Sequence, residues 1–295
     1  MAFRGVTSLV VRHAGCNYLF DAGEGTQVAL KKAKPGLKAL RLIAVTHLHA
    51  DHCLGIPGLL MLRAQMDAPG PLTIVGPPGI ANFIHAVRQT IEFYINFEIQ
   101  FIEWAPGATD LAYQDEHIDL SWAPLEHSIV CLGYRFTEHQ RPGKFQPENA
   151  RALNIPEGPL WSTLQQNAPI QLADGTSITP EQVLGLPRRG RIVSFVVDTR
   201  PTETIQTLCV NSDIAFIEGM FLNKLAPEAR EKGHLTASEA ARLTKQANVR
   251  RTVLVHFSPR YRNTELEALL TEARLENEQV EVGQELGKYE VPLPD

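Results

Sequence analysis

Three imidazoles and a carboxylate fall within six residues at His47-Leu48-His49-Ala50-Asp51-His52. Residues two apart on an extended strand share a face, so a strand ending here presents the rings of His47 and His49 on one side. Asp51 and His52 follow on a turn that can fold back toward a second ion, and the spacing describes a two-metal site. Three solvated or core histidines in a loop are the alternative, but chance rarely packs so many of the 10 His of this 295-residue chain together.

Three later positions carry a different signal, a metal-ligating residue directly after an apolar run, where a strand would deliver it to the end of a sheet. They are His127 after Leu120–Leu125, Asp198 after Ile192–Val197 and His256 after Thr252–Val255. Each alone reads more readily as a satisfied core histidine or a turn-forming aspartate than as a ligand. Together with the cluster they complete seven nitrogen and oxygen donors, about the number that two adjacent divalent ions need. We assign His47, His49 and His127 to one ion, Asp51, His52 and His256 to the other, and Asp198 to the bridge. Such donors suit Zn²⁺ best, with Mn²⁺ or Fe²⁺ as alternatives. Asp51 is placed to orient a bound water and accept its proton. Cys16, Cys53, Cys131 and Cys209 form no C-x-x-C pair and read as buried free thiols, with Cys53 not needed as a ligand.

Interleaved strands and helices must position these groups. Apolar patterning predicts strands at Ser8–Arg12, Tyr18–Asp21, Leu42–Thr46, Leu72–Val75, Ile192–Val197, Ile214–Ile217 and Thr252–His256. Helical spacing predicts Ile56–Gln65, Ile80–Ile91, Ala237–Gln246 capped by Thr236 or Ser238, and Thr264–Leu275 capped by Asn263. The alternation argues for an α/β protein of layered sheets. Residues 138–190 differ: they are rich in Pro and Gly and read as an extruded arm with a small apolar base at Leu153, Ile155, Leu160, Trp161 and Leu164. Composition, 44% hydrophobic and 21% charged, excludes a disordered chain. No apolar stretch is long enough to span a bilayer and no secretion signal opens the chain, so the cytoplasm is the expected location. A net charge of −5 argues against a protein that coats nucleic acid. Two local basic clusters stand out, Arg188, Arg189, Arg191 and Arg200, and Arg242, Lys245, Arg250, Arg251, Arg260 and Arg262. Each is read equally well as a solvated surface or as a phosphate-binding face.

These residues resemble the metallo-β-lactamase superfamily and, within it, the tRNA 3′ processing endonucleases of the ribonuclease Z family. The similar segments are Phe20-Asp21-Ala22-Gly23-Glu24-Gly25-Thr26-Gln27, Thr46–His52 running into Gly55-Ile56-Pro57-Gly58, His127-Ser128 with Gly133-Tyr134-Arg135, Asp198-Thr199-Arg200-Pro201, His234-Leu235-Thr236, and His256-Phe257-Ser258-Pro259-Arg260-Tyr261. The resemblance implies a four-layer αββα sandwich with an arm insertion, residues 138–190, that grips tRNA outside the cleft. It also implies a homodimer and a precursor tRNA substrate whose 3′ trailer is removed by metal-activated hydroxide, leaving a 3′ hydroxyl, with no role for DNA or a membrane. His234 resembles the family's proton donor to the leaving oxygen. Asp21 and Glu24 resemble acids supporting metal-bound histidines, although Gly23 and Gly25 also fit an ordinary hairpin turn. Ser258 and Arg260 are candidates for contact with substrate phosphate. Two departures from the family pattern are a first strand missing or reduced ahead of Ser8–Arg12, which would expose a sheet edge, and Ile217-Glu218-Gly219-Met220 where the family reads His-Glu-Ala-Thr. Rival readings are a small-molecule phosphodiesterase with the same metals and a noncatalytic RNA-binding subunit.

Overall fold

The computed structural model describes residues 4–67 and 70–294, which divide into two compact units: the chain up to Thr137 with Ile192–Val291, and Glu138–Arg191 with the chain from Pro292. In the larger unit one sheet runs in the order β1 (Leu9–His13), β2 (Cys16–Phe20), β3 (Leu40–Ala44), β4 (Leu72–Gly76) and β5 (Ile99–Glu103). β1 pairs antiparallel with β2 and forms an edge; the other pairings are parallel. Helices α1 (Thr26–Ala33), α2 (Ala50–Cys53), α3 (Ile56–Arg63) and α4 (Ile80–Ile91) lie in its connections.

The second sheet contains β6 (Leu111–Gln114), β7 (Ile118–Leu125), β8 (Cys131–Glu138), β9 (Ile192–Val196), β10 (Ile214–Glu218), β11 (Thr252–Val255) and β12 (Val280–Val282), with neighbours in that same order. β9 to β12 are parallel, joined through α5 (Glu203–Cys209), α6 (Ala226–Glu231), α7 (Ala237–Gln246) and α8 (Leu266–Glu276).

Alternation along the strands builds the layers. Tyr18, Phe20, Leu42, Ala44 and Val75 from the first sheet pack with Ile118, Leu120, Trp122, Tyr134, Phe195 and Phe216 from the second, which is the core between the sheets. The intervening Leu19, Ile43 and Ile74 face the other way, onto Ile56, Leu59 and Leu60 of α3 and Ile80 and Ile84 of α4. In the second sheet Val196, Ala215, Ile217 and Leu254 likewise turn outward onto α5, α7 and α8. Helix, sheet, sheet, helix is the expected αββα order.

The predicted strands are present with shifted ends, and α4 and α7 have the predicted limits. Thr236 caps α7, its hydroxyl accepting from Glu239 N at 3.2 Å while the Glu239 carboxylate accepts from Thr236 N at 2.8 Å. α8 starts later than expected because a 3₁₀ turn precedes it, with Glu265 at its N-cap; the side chain of Asn263, the predicted cap, lies outside the described residues. β7 alternates buried and half-exposed residues, a pattern obscured in the sequence by Asp119, Ser121 and Pro124.

The smaller unit holds more regular structure than its composition suggests. Helices Pro147–Ala152 and Pro159–Gln165 each begin with a proline, whose fixed φ suits a first turn, and Ile170–Gln171 pairs with Ser177–Ile178 in a short ribbon. Ala150, Ile155, Leu164, Ile170, Ile178 and Val183 form its own buried core, with Leu153, Leu160 and Trp161 packed against it. Trp161 donates its indole N–H to the Ile155 carbonyl at 3.1 Å.

Candidate metal centre

The carboxyl ends of the parallel strands deliver the candidate residues, as open α/β sheets generally do. Asp21 follows β2, His47 lies just beyond β3, Asp198 beyond β9 and His256 directly after β11, while Glu218 is the last residue of β10. Asp21, Asp198 and His256 all turn into the left-handed region, at φ 52°, 53° and 53°. For residues with a Cβ this costs roughly 1–2 kcal/mol each, strain of the kind that collects at functional sites.

The glycine turn after β2 is not a hairpin but the seat of α2. Ala22 N donates to the His52 carbonyl and Gly55 N to the Ala22 carbonyl, both at 2.8 Å. A Cβ at Gly23 would lie 2.0 Å from the Asp51 carbonyl oxygen, and one at Gly55 2.2 Å from the Gly23 carbonyl oxygen. Only glycine permits this approach, which sets the height of Asp51 and His52 in the site.

The seven candidate donors converge. Asp198 Oδ2 lies 3.5 Å from His47 Nε2 and 3.7 Å from His127 Nε2, while Oδ1 lies 3.6 Å from His52 Nε2 and 3.2 Å from His256 Nε2. His49 Nδ1 meets His47 Nε2 at 3.0 Å. Asp51 Oδ2 stands 3.5 Å from His52 Nε2 and 3.7 Å from His256 Nε2. They fall into two groups, His47, His49, His127 and Asp198, and Asp51, His52 and His256, each with ligand atoms within 4.8 Å of one another; a third such group among the described residues joins His234 to Asp198 and His256.

The far ring nitrogens fix the tautomers. His127 Nδ1 lies 3.0 Å from the Gly233 carbonyl, which can only accept, so Nδ1 carries the proton and Nε2 offers a lone pair. His52 Nδ1 is 2.7 Å from Asp21 Oδ2, and His47 Nδ1 is 3.0 Å from Thr46 Oγ1, whose hydroxyl reaches Asp21 Oδ2 at 2.8 Å. Asp21 also accepts from Thr46 N at 2.7 Å. The lone pairs of His47 and His127 thus face the centre, where His127 Nε2 and Asp198 Oδ1 are buried without a hydrogen bond. Orphaned inward-facing donors of this type fit a divalent cation. Asp21 supports His52 as expected, whereas Glu24 is exposed.

Charge follows the same geometry. Burial and then the neighbouring positive His52 hold the His47 imidazole down to about 2. His52 itself is opposed by burial but pushed up to about 11 by the Asp21 and Asp51 carboxylates. Hydrogen bonds from His256 and His52 keep Asp51 well below the usual carboxylate range. Burial raises the Asp198 carboxyl, but His256, His52 and His47 outweigh it and the group stays ionised.

His234 borders this centre, grouped with Asp198 and His256. Its Nδ1 is 3.0 Å from Glu218 Oε2, and Glu218 Oε1 accepts from Thr199 N at 2.6 Å. Glu218 is wholly buried, and burial raises its carboxyl while the hydrogen bond from His234 opposes the rise. This pairing was not read from the sequence, although Glu218 closes an apolar run just as Asp198 does.

Arg260 and Ser258 bond to each other and to neighbours in the fold. The Arg260 guanidinium forks onto Glu228 at 3.0 and 2.5 Å, lies 5.0 Å over the Phe221 ring, and donates through Nε to Ser258 Oγ at 3.1 Å. Much of both basic clusters is likewise engaged within the fold. Arg251 pairs with Glu281, Arg191 with Glu138 and Arg200 with Glu239, while Lys245 donates to the Glu276 carbonyl at 2.8 Å. The four cysteines are buried and free; Cys131 Sγ sits 3.8 Å from His47 Nδ1.

Residues 1–62 match the family model of the metallo-beta-lactamase superfamily. The chain is 44% identical to a ribonuclease Z of Treponema denticola, over 93% of this chain and 88% of that one. The chain belongs to the ribonuclease Z family. A ribonuclease Z of Borreliella burgdorferi is 40% identical over 95% of this chain and 88% of its own length. Among solved structures, the short form of human tRNase Z superposes with a TM-score of 0.70 at 22% identity, covering 99% of this chain and 95% of that one. A diphosphatase of the PhnP family has the same fold at a TM-score of 0.60 and 14% identity, covering 96% and 82%. The same fold therefore carries proteins of different names, and the sequence relatives, not the fold, distinguish them. The chain is a metal-dependent phosphodiester hydrolase of the ribonuclease Z type. Among the described residues, no helix is long and apolar enough to cross a membrane.

Proposed function

We propose that this protein is an endoribonuclease that removes the 3′ trailer of precursor tRNA by hydrolysis, leaving a 3′ hydroxyl, and that each chain uses two zinc ions. The observation that supports this most is Asp198, whose two oxygens face two separate imidazole groups in a family member 44% identical to a ribonuclease Z. His47, His49 and His127 would hold one ion, Asp51, His52 and His256 the other, with Asp198 between them. Bound there, the ions supply Lewis acidity toward the phosphate and an activated water.

The chain supplies the rest. The Asp51 side chain is half exposed while Asp198 is 4% exposed, so Asp51 is the carboxylate that reaches an incoming substrate, orients the nucleophile and takes its proton. Glu218 fixes the His234 ring through Nδ1 and leaves the other nitrogen to give a proton to the departing 3′ oxygen. We place the enzyme in the cytoplasm and read it as a homodimer by likeness to its family. The direct test is to incubate the protein with a trailer-bearing precursor tRNA and Zn²⁺ or Mn²⁺. Cleavage beside the discriminator base is expected, and its absence with metal bound would end this reading.

A further inference from the structure

Arg200 entered the sequence reading as part of a basic surface, yet its side chain is only 12% exposed and turned inward. Its guanidinium forks onto Glu239 at 2.9 and 3.2 Å and donates to the His234 carbonyl. Its own backbone N–H donates to the Glu126 carbonyl at 2.9 Å, and Glu126 N returns a bond to Thr199 Oγ1 at 3.2 Å. Thr199 N reaches Glu218, Glu218 reaches the His234 ring, and His127, next to Glu126, is held by the Gly233 carbonyl next to His234. The segment Asp198-Thr199-Arg200 therefore closes a ring of bonds through Glu126-His127, Gly233-His234 and Glu218. Within it, Arg200 and Glu218 grip His234 at two points, backbone carbonyl and ring nitrogen.

We propose that Arg200, clamped by Glu239, is a positioning residue for proton delivery: it fixes the backbone of His234 so that the ring held by Glu218 stays aimed at the leaving oxygen. Glu239 acts twice, orienting Arg200 and capping α7 through Thr236, which ties the His234 loop to a rigid helix. This rests on the reading of His234 as the proton donor. A planar fork can bind a carboxylate through two nitrogens and still give a proton to a carbonyl; an ammonium has no such fixed geometry.

The test compares Arg200→Gln, Arg200→Lys, Glu239→Gln and His234→Ala, loaded with Zn²⁺, on precursor tRNA and on bis(p-nitrophenyl) phosphate, whose leaving group needs no proton. For Arg200→Gln, kcat on precursor tRNA should fall about 30-fold with KM unchanged, the scale of a misaimed general acid. Hydrolysis of the aryl ester and zinc content should change little. Arg200→Lys and Glu239→Gln should fall between that variant and the parent, which keeps the test usable if Arg200→Gln folds poorly. In a His234→Ala background, Arg200→Gln should cost nothing further on tRNA, because the group it aims is gone. Equal loss on both substrates, or a loss that adds to that of His234→Ala, overturns the positioning role while leaving the proton donor in place. Equal slowing of both substrates by His234→Ala itself overturns the proton donor and this role with it.

Discussion

The two halves of the candidate metal centre are built on different supports. In the half with His47, His49 and His127, the far ring nitrogens of His47 and His127 rest on neutral groups, the Thr46 hydroxyl and the Gly233 carbonyl. In the half with Asp51, His52 and His256 the support is anionic at His52, which leans on the buried Asp21 carboxylate, while His256 Nδ1 is buried without a hydrogen bond and Asp51 contributes a second negative charge. A carboxylate behind an imidazole raises its basicity and strengthens its bond to a cation. We therefore expect the halves to differ in affinity, the more negative half holding a cation more tightly, although both share Asp198.

The largest effect should come from removing what the halves share. Asp198→Ala takes an oxygen from each, and turnover should fall by more than about 10³-fold with reduced zinc in both halves. Metal analysis beside trailer cleavage checks this; a variant that retains both ions would show that Asp198 does not join them. Asp51→Ala touches one half only and removes the exposed carboxylate. It should cost about 10²–10⁴-fold in turnover with the fold intact by circular dichroism, and normal turnover would remove Asp51 from its assigned role.

Much of this contrast was legible in the sequence. The His47–His52 run is contiguous, so local spacing alone reports it, and Asp198 and His256 are betrayed by the apolar strands that precede them. The supports were less legible because they depend on which strands become neighbours. Asp21 meets Thr46 through the parallel pairing of β2 with β3, and Glu218 meets His234 across 16 residues. Charge was the least legible property. Arg260 reads as a free cation until Glu228, 32 residues earlier, is placed against it, and Arg200 reads as surface until Glu239 draws it inward. Sequence gives the sign of a charge, but only tertiary pairing decides whether solvent or a substrate can meet it.

Asp21→Asn should sharpen the comparison next. It keeps the size of a fully buried side chain and removes the anion behind His52. Zinc affinity in the half with Asp51 should fall about 10–100-fold while the other half changes far less. Titration with a competing chelator should then show two well-separated releases, with the order of the halves reversed from the parent. Equal weakening of both halves would mean that the anionic support does not distinguish them.

The smallest effect is expected at Thr46, whose hydroxyl lies between the halves. Its Oγ1 lies 3.0 Å from His47 Nδ1 and 3.5 Å from His52 Nδ1, and it also bonds Asp21. Thr46→Val keeps the shape and deletes the hydroxyl, leaving His47 Nδ1 without this neighbour while His52 keeps its carboxylate. The loss should fall on the His47 half, a few-fold in zinc affinity, with about 1–3 kcal/mol of stability lost for a buried polar group stripped of its partner. Thr46→Ser retains the hydroxyl and should recover the affinity but only part of the stability. Chelator titration and thermal melting of the two variants separate these terms. A Thr46→Val protein weakened mainly in the His52 half would show that the hydroxyl acts through Asp21 rather than on His47 directly.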